Sequence, residues 1–86
     1  MPTISRFYGI LIQMYLGDHL PPHFHALYAE FEALIEIHTL EVIRGELPGR
    51  AMALVLEWAQ QHRDDLRKDW ELCAQNLTPV KILPLP

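Results

Sequence analysis

Cysteine is almost missing: Cys73 stands alone among 86 residues. A single thiol excludes an internal disulfide and a thiolate metal cluster, so Cys73 is expected to be a small apolar core residue. Ser5 is the only serine and has no glycine-flanked elbow around it, which removes the usual serine nucleophile. A glycine-rich phosphate loop is missing too, since Gly45 and Gly49 fit turns. No apolar run approaches the roughly 20 residues that span a bilayer. Basic residues are scarce, with 7 Lys and Arg against 11 Asp and Glu and a formal net charge of −4. That balance argues against nucleic acid held through its phosphates, a local basic patch aside. The start, MPTISRFYGI, lacks a basic segment followed by an apolar block and a cleavage site. It reads as a cytoplasmic N-terminus.

What is present is apolar residue in quantity, 50% of the chain. That suffices for one small domain over residues 1–86 with a modest core. Tyr8, Ile10, Ile12, Met14 and Leu16 alternate with Gly9, Leu11, Gln13 and Tyr15, a strand pattern ended by Gly17-Asp18. His23–Tyr28 and Phe31–Ile37 read as two further strands around Ala29-Glu30. That dipeptide is not a favoured tight turn, yet a two-residue turn makes the hydrophobic pattern consistent. Tyr28 then faces Phe31, Ala26 faces Ala33, and Phe24 faces Ile35, all on one core face with Ile37. The opposite face pairs His25 with Leu34, His23 with Glu36 and Leu27 with Glu32, and receives Leu11, Gln13 and Tyr15 from the first strand. A slip of one residue would destroy the agreement.

Leu40–Arg44 is a candidate edge strand. Pro48 suits a first helical position. Beyond it Ala51, Leu54, Val55, Trp58, His62, Leu66, Trp70 and Cys73 recur at three- and four-residue spacing. This is one long amphipathic helix over 49–75, with a kink expected near Gln61–Asp64. Its Arg63, Arg67 and Lys68 interleave with Asp64, Asp65, Asp69 and Glu71 as a solvated face. The tail TPVKILPLP is expected to be an extended arm or short edge strand around Val80–Leu83. The fold class is α+β: a three- to four-stranded antiparallel sheet with one long, kinked helix packed on one face.

The densest chemistry lies in Asp18-His19-Leu20-Pro21-Pro22-His23-Phe24-His25. An H-x-H on a strand puts two imidazoles on one face, about two rises of roughly 3.3 Å apart. That suits two ligands of one divalent metal, Zn²⁺ or Fe²⁺, with Asp18, His19 or Glu36 as third ligand and Glu36 favoured as the cross-strand neighbour of His23. Without metal, His23, His25, Asp18 and His19 are candidates for general acid–base catalysis. A plainer reading gives the histidines to local hydrogen bonds and Asp18 to its own turn. A second feature is Leu11, Leu27 and Leu34 beside Tyr15. A helix covers only one face of so small a sheet, so these four are candidates for a contact surface.

The blocks PTISRFYGILIQMY, DHLPPHFHALY, GELPGRA and EWAQQHRDDL, with Trp70, resemble a family of small bacterial and cyanobacterial proteins described as a domain of unknown function. DH-x-PPHFH is its most specific block and is complete here. Family members often carry glycine at the hairpin turn, where this chain has Ala29-Glu30. The resemblance carries no assigned chemistry. It implies a toxin–antitoxin-type two-gene module, and so a small protein partner encoded by a neighbouring gene. Two functions therefore stand side by side. One is an interaction module using Leu11, Tyr15, Leu27 and Leu34, a homodimer being its simplest form. The other is a metal-assisted or acid–base hydrolase, a nuclease among the options, with Arg44 or Arg50 holding phosphate.

Overall fold

The computed structural model describes residues 2–86. Five strands form one antiparallel sheet in chain order: β1 (Thr3–Phe7), β2 (Ile10–Gln13), β3 (His23–Tyr28), β4 (Phe31–Glu36) and β5 (Val42–Gly45). Two helices follow, α1 (Gly49–Gln61) and α2 (Arg63–Ala74). The class is α+β as expected, but the sheet has five strands instead of three or four, and the single long helix is two.

The β3–β4 register matches the expected one at every position: His23↔Glu36, Phe24↔Ile35, His25↔Leu34, Ala26↔Ala33, Leu27↔Glu32 and Tyr28↔Phe31. Phe24, Ala26, Ala33, Ile35 and Ile37 have no measurable exposure. The turn between the strands puts Ala29 at φ +52°. A left-handed backbone costs a non-glycine residue of order 1 kcal/mol, and the packed face on both strands outweighs it.

The first expected strand was too long at both ends. Tyr8 and Gly9 sit at φ +50° and +79°, so they form the two-residue turn between Phe7 and Ile10. Positive φ at both central positions matches the twist of a tight hairpin. Tyr8 is consequently exposed, while Ile10, Ile12 and Met14 are buried as the alternation required. The residues before this turn supply β1, a strand beyond those the alternating pattern predicts. The edge strand lies at Val42–Gly45, beginning two residues later than the Leu40–Arg44 pattern predicts.

Pro48 caps α1 from outside the helix, at φ −55° and ψ 149°, and its carbonyl accepts the Met52 N–H at 2.9 Å. The break falls at His62, with φ −124° and ψ 25°, within the segment where a kink was expected. Asp64 and Asp65 then occupy the first turn of α2, where carboxylates favour a helix start. Val55, Trp58, Leu66 and Cys73 point into the same core cluster as the sheet's inner face. Neither helix is long and apolar enough to cross a membrane.

The tail is an extended arm. Ile82 N–H donates to Ile4 O at 2.7 Å, and Trp58 Nε1–H donates to Leu83 O at 2.8 Å. It thereby covers the open edge of β1, a common way of blunting a sheet edge. Asp69 holds its start, with Oδ1 accepting the Val80 N–H at 2.8 Å. Its Oδ2 has no partner among the described residues. Burial raises the Asp69 carboxyl above its ordinary range, the Val80 bond opposes this, and Asp65 adds to it.

Two expected outcomes follow from these packing details. Gly45 has φ +77°, and a Cβ there would sit 2.1 Å from Glu32 O. Gly45→Ala should lose about 1–3 kcal/mol in urea unfolding, while Gly49→Ala, with open space around it, should not. A carboxyl raised by folding contributes stability below its unfolded pKa and loses it as pH rises through the folded pKa. Asp69→Asn, which keeps an acceptor for Val80, should therefore gain most over the parent at neutral pH. The gain should shrink as pH falls through the carboxylate range, as unfolding midpoints across pH will register.

Candidate functional site

Strand alternation sends Phe24 inward and the two flanking histidines to the other face. His23 is 2% exposed and His25 is 7% exposed. Their rings lie 5.2 Å apart, centre to centre. The loop before β3 folds back over them. Gly17 N–H donates to Cys73 O at 2.9 Å, and Pro22 O accepts the Ile37 N–H at 3.0 Å, so both ends of the loop are tied down. The Leu20–Pro21 peptide is cis. This path delivers the Asp18 carboxylate between the imidazoles.

Asp18 Oδ2 is 3.0 Å from His23 Nε2 and 3.3 Å from His25 Nε2. Its Oδ1 accepts the His19 backbone N–H at 2.9 Å. The far nitrogens are also engaged. His23 Nδ1 is 2.7 Å from Pro21 O, and His25 Nδ1 is 2.9 Å from Glu32 Oε2. A carbonyl and a carboxylate only accept, so both Nδ1 atoms donate. In a neutral ring Nε2 then carries the lone pair. Partial burial alone would raise the Asp18 carboxyl. The His19 N–H, the His25 hydrogen bond and the nearby His23 and His19 outweigh burial and hold it below the usual range.

Aromatic rings wall the cluster. Tyr15 stacks on His25 with centroids 4.1 Å apart and planes 17° apart. Trp70 of α2 lies 5.3 Å from His23. Burial raises the Tyr15 hydroxyl, and the charges of Glu32 and Asp18 add to that.

The sequence-derived candidates separate accordingly. Asp18, His23 and His25 come together, with one ligand atom from each within 4.8 Å of the others. Glu36 is the register partner of His23, but it does not belong to that group because His23 turns its ring towards the loop. His19 is beside the cluster, with Nδ1 3.1 Å from Asp18 Oδ1 and a side chain 85% exposed. Leu11, Tyr15, Leu27 and Leu34 are all half-buried on the same outer face. Arg44 faces Leu34 across β5, whereas Arg50 lines a separate groove with Tyr8, Tyr28 and Leu54. Glu32 and Trp70 were not proposed as site residues. Glu32 was within reach of the register, being diagonal to His25 on the neighbouring strand. Trp70 belongs by its spacing to the apolar stripe of the helix, and nothing in that spacing points to His23.

Such a molecule is a small α+β domain whose outer sheet face carries a buried histidine pair bridged by one carboxylate. Residues 9–71 match the family described as Domain of unknown function (DUF4160), and the chain belongs to that family. No curated protein and no solved structure matches it.

Removing the Asp18 carboxylate leaves the His19 N–H without its acceptor and both Nε2 atoms without the polar neighbour that fills the space between them. Asp18→Ala is expected to lose about 1–3 kcal/mol in urea unfolding, with slower loss of the β5 strand than of the loop in hydrogen exchange.

Proposed function

We propose that this protein works by binding another protein through the outer face of its sheet. The observation that carries the reading is the arrangement of that face. Leu11 and Leu27 oppose one another in register and are flanked by Arg6 and Glu32, while Leu34 lies between His25 and Arg44. Both helices pack on the inner face through the core cluster, and on the outer face Trp70 of α2 reaches only as far as His23, away from Leu11 and Leu27. Apolar side chains rimmed by both signs of charge suit a specific, wet protein contact. Val42 and Ile43 on the edge strand β5 are also exposed, at 44% and 45%, though Val42 pairs with the inner-face Ile35 and stands apart from the outer leucines. A small partner from a neighbouring gene, in a toxin–antitoxin-type pair, is the occupant this reading favours. A second copy of the chain is the simplest variant.

Hydrolysis at His23 and His25 is the second reading, favoured by their convergence on Asp18. Burial argues against it, because both rings are packed under Tyr15 and Trp70 and leave little room for substrate.

Leu27→Asp tests the first reading. Light scattering of the purified parent should give a mass above the monomer, or a complex with the neighbouring gene's product when the two are co-expressed. The variant should retain its far-UV circular dichroism and lose that association by at least tenfold in Kd. A monomeric parent that binds no co-expressed partner would sink the reading.

A further inference from the structure

We infer that Asp18 Oδ2, His23 Nε2 and His25 Nε2 form a resident site for a divalent transition-metal ion of the zinc or ferrous class, and that the ion clamps the 14–22 loop onto β3. The inference stands apart from the contact reading and needs no turnover.

Distance is the first support. Ligands about 2.0–2.1 Å from a tetrahedral zinc lie about 3.3–3.4 Å from one another. The Asp18 oxygen lies 3.0 and 3.3 Å from the two nitrogens, and the three atoms fall within 4.8 Å of one another. The two oxygen–nitrogen separations are therefore within a few tenths of an ångström of the tetrahedral value, and the two nitrogens are close enough to close on one ion.

The surrounding bonds are the second support. A metal-bound histidine almost always donates its other ring N–H to a carbonyl or carboxylate, which sets the tautomer and raises the basicity of the ligating nitrogen. Both histidines meet that condition, His23 through Pro21 O at 2.7 Å and His25 through Glu32 Oε2 at 2.9 Å. With Nδ1 so engaged, the Nε2 lone pair of each neutral ring faces the Asp18 oxygen, and a cation placed among the three atoms is met by all of them.

Nitrogen and oxygen donors with no thiolate select zinc or iron over softer ions. Three protein ligands leave one position for water or for His19, whose exposed imidazole stands next to Asp18.

The test uses the full chain, stripped of metal by chelation and titrated with Co²⁺ alone. Expected are one saturable equivalent, visible d–d bands of a tetrahedral or five-coordinate ion, and displacement by Zn²⁺. Zn²⁺ should also raise the thermal midpoint of the parent in a concentration-dependent way, as binding to the native state requires. Asp18→Asn should abolish the saturable equivalent. Glu32→Gln, a half-exposed position that spares the core, should weaken binding roughly 10–100-fold while the chain stays folded. No saturable Co²⁺ in the parent, or affinity unchanged in both variants, overturns the inference and leaves a proton-bridged network instead.

Discussion

Everything in this molecule depends on one register, that of β3 against β4. Side chains alternate across a strand with a period of two, so the choice that buries Phe24 and Ala26 also sends His23 and His25 to the other face. A shift of one residue would put two imidazoles into the core and two apolar side chains beside Asp18. The register is held by the inner face, where Phe24, Ala26, Ala33 and Ile35 are fully buried against the helices. That packing is strong enough to impose a left-handed backbone on Ala29 at the turn.

The outer face follows from the same constraint and acquires its character from its neighbours. His25 touches Asp18 and Glu32 and lies under the Tyr15 ring, while Leu34, its register partner, stands beside Arg44. A polar network and an apolar contact surface thus share one sheet face and one aromatic residue, Tyr15. Occupation of the first by an ion would hold the shape of the second, because the loop that carries Asp18 also carries Tyr15. Trp70 connects this side to the helices, reaching from the apolar stripe of α2 to the His23 ring. At the far edge the tail closes β1 through Ile82 and Trp58, and the buried Asp69 holds the start of the tail through the Val80 N–H.

Periodic features were legible before any coordinates. The helical stripe from Ala51 to Cys73 is the buried one, and the hairpin pairs agree at every position. Aperiodic features were not. Tyr8-Gly9 extends an alternating run yet turns the chain, because the positive φ values of a tight turn leave no trace in polarity. His62 continues the helical stripe in spacing while its backbone leaves the helix, with Asp64 and Asp65 starting a new one. Glu36 was the natural third ligand by register alone. It was displaced because the ring of His23 rotates about its own χ angles towards Pro21 O, which pairing arithmetic does not describe.

The amino-acid sequence by itself determined the α+β class, the inner face, the helix stripe and the placing of His23 and His25 together away from the core. Those properties rest on strict periods of 2 and 3.6 residues and on the free energy of burying apolar surface. The tertiary structure alone decided that Asp18 lies between the two imidazoles, that Glu32 and Pro21 hold their outer nitrogens, and that Tyr15 and Trp70 close over them. The contacts of Asp18, Pro21 and Tyr15 depend on the path of a loop tied down at Cys73 and Ile37, which distant backbone partners set, while Glu32 and Trp70 arrive from β4 and α2.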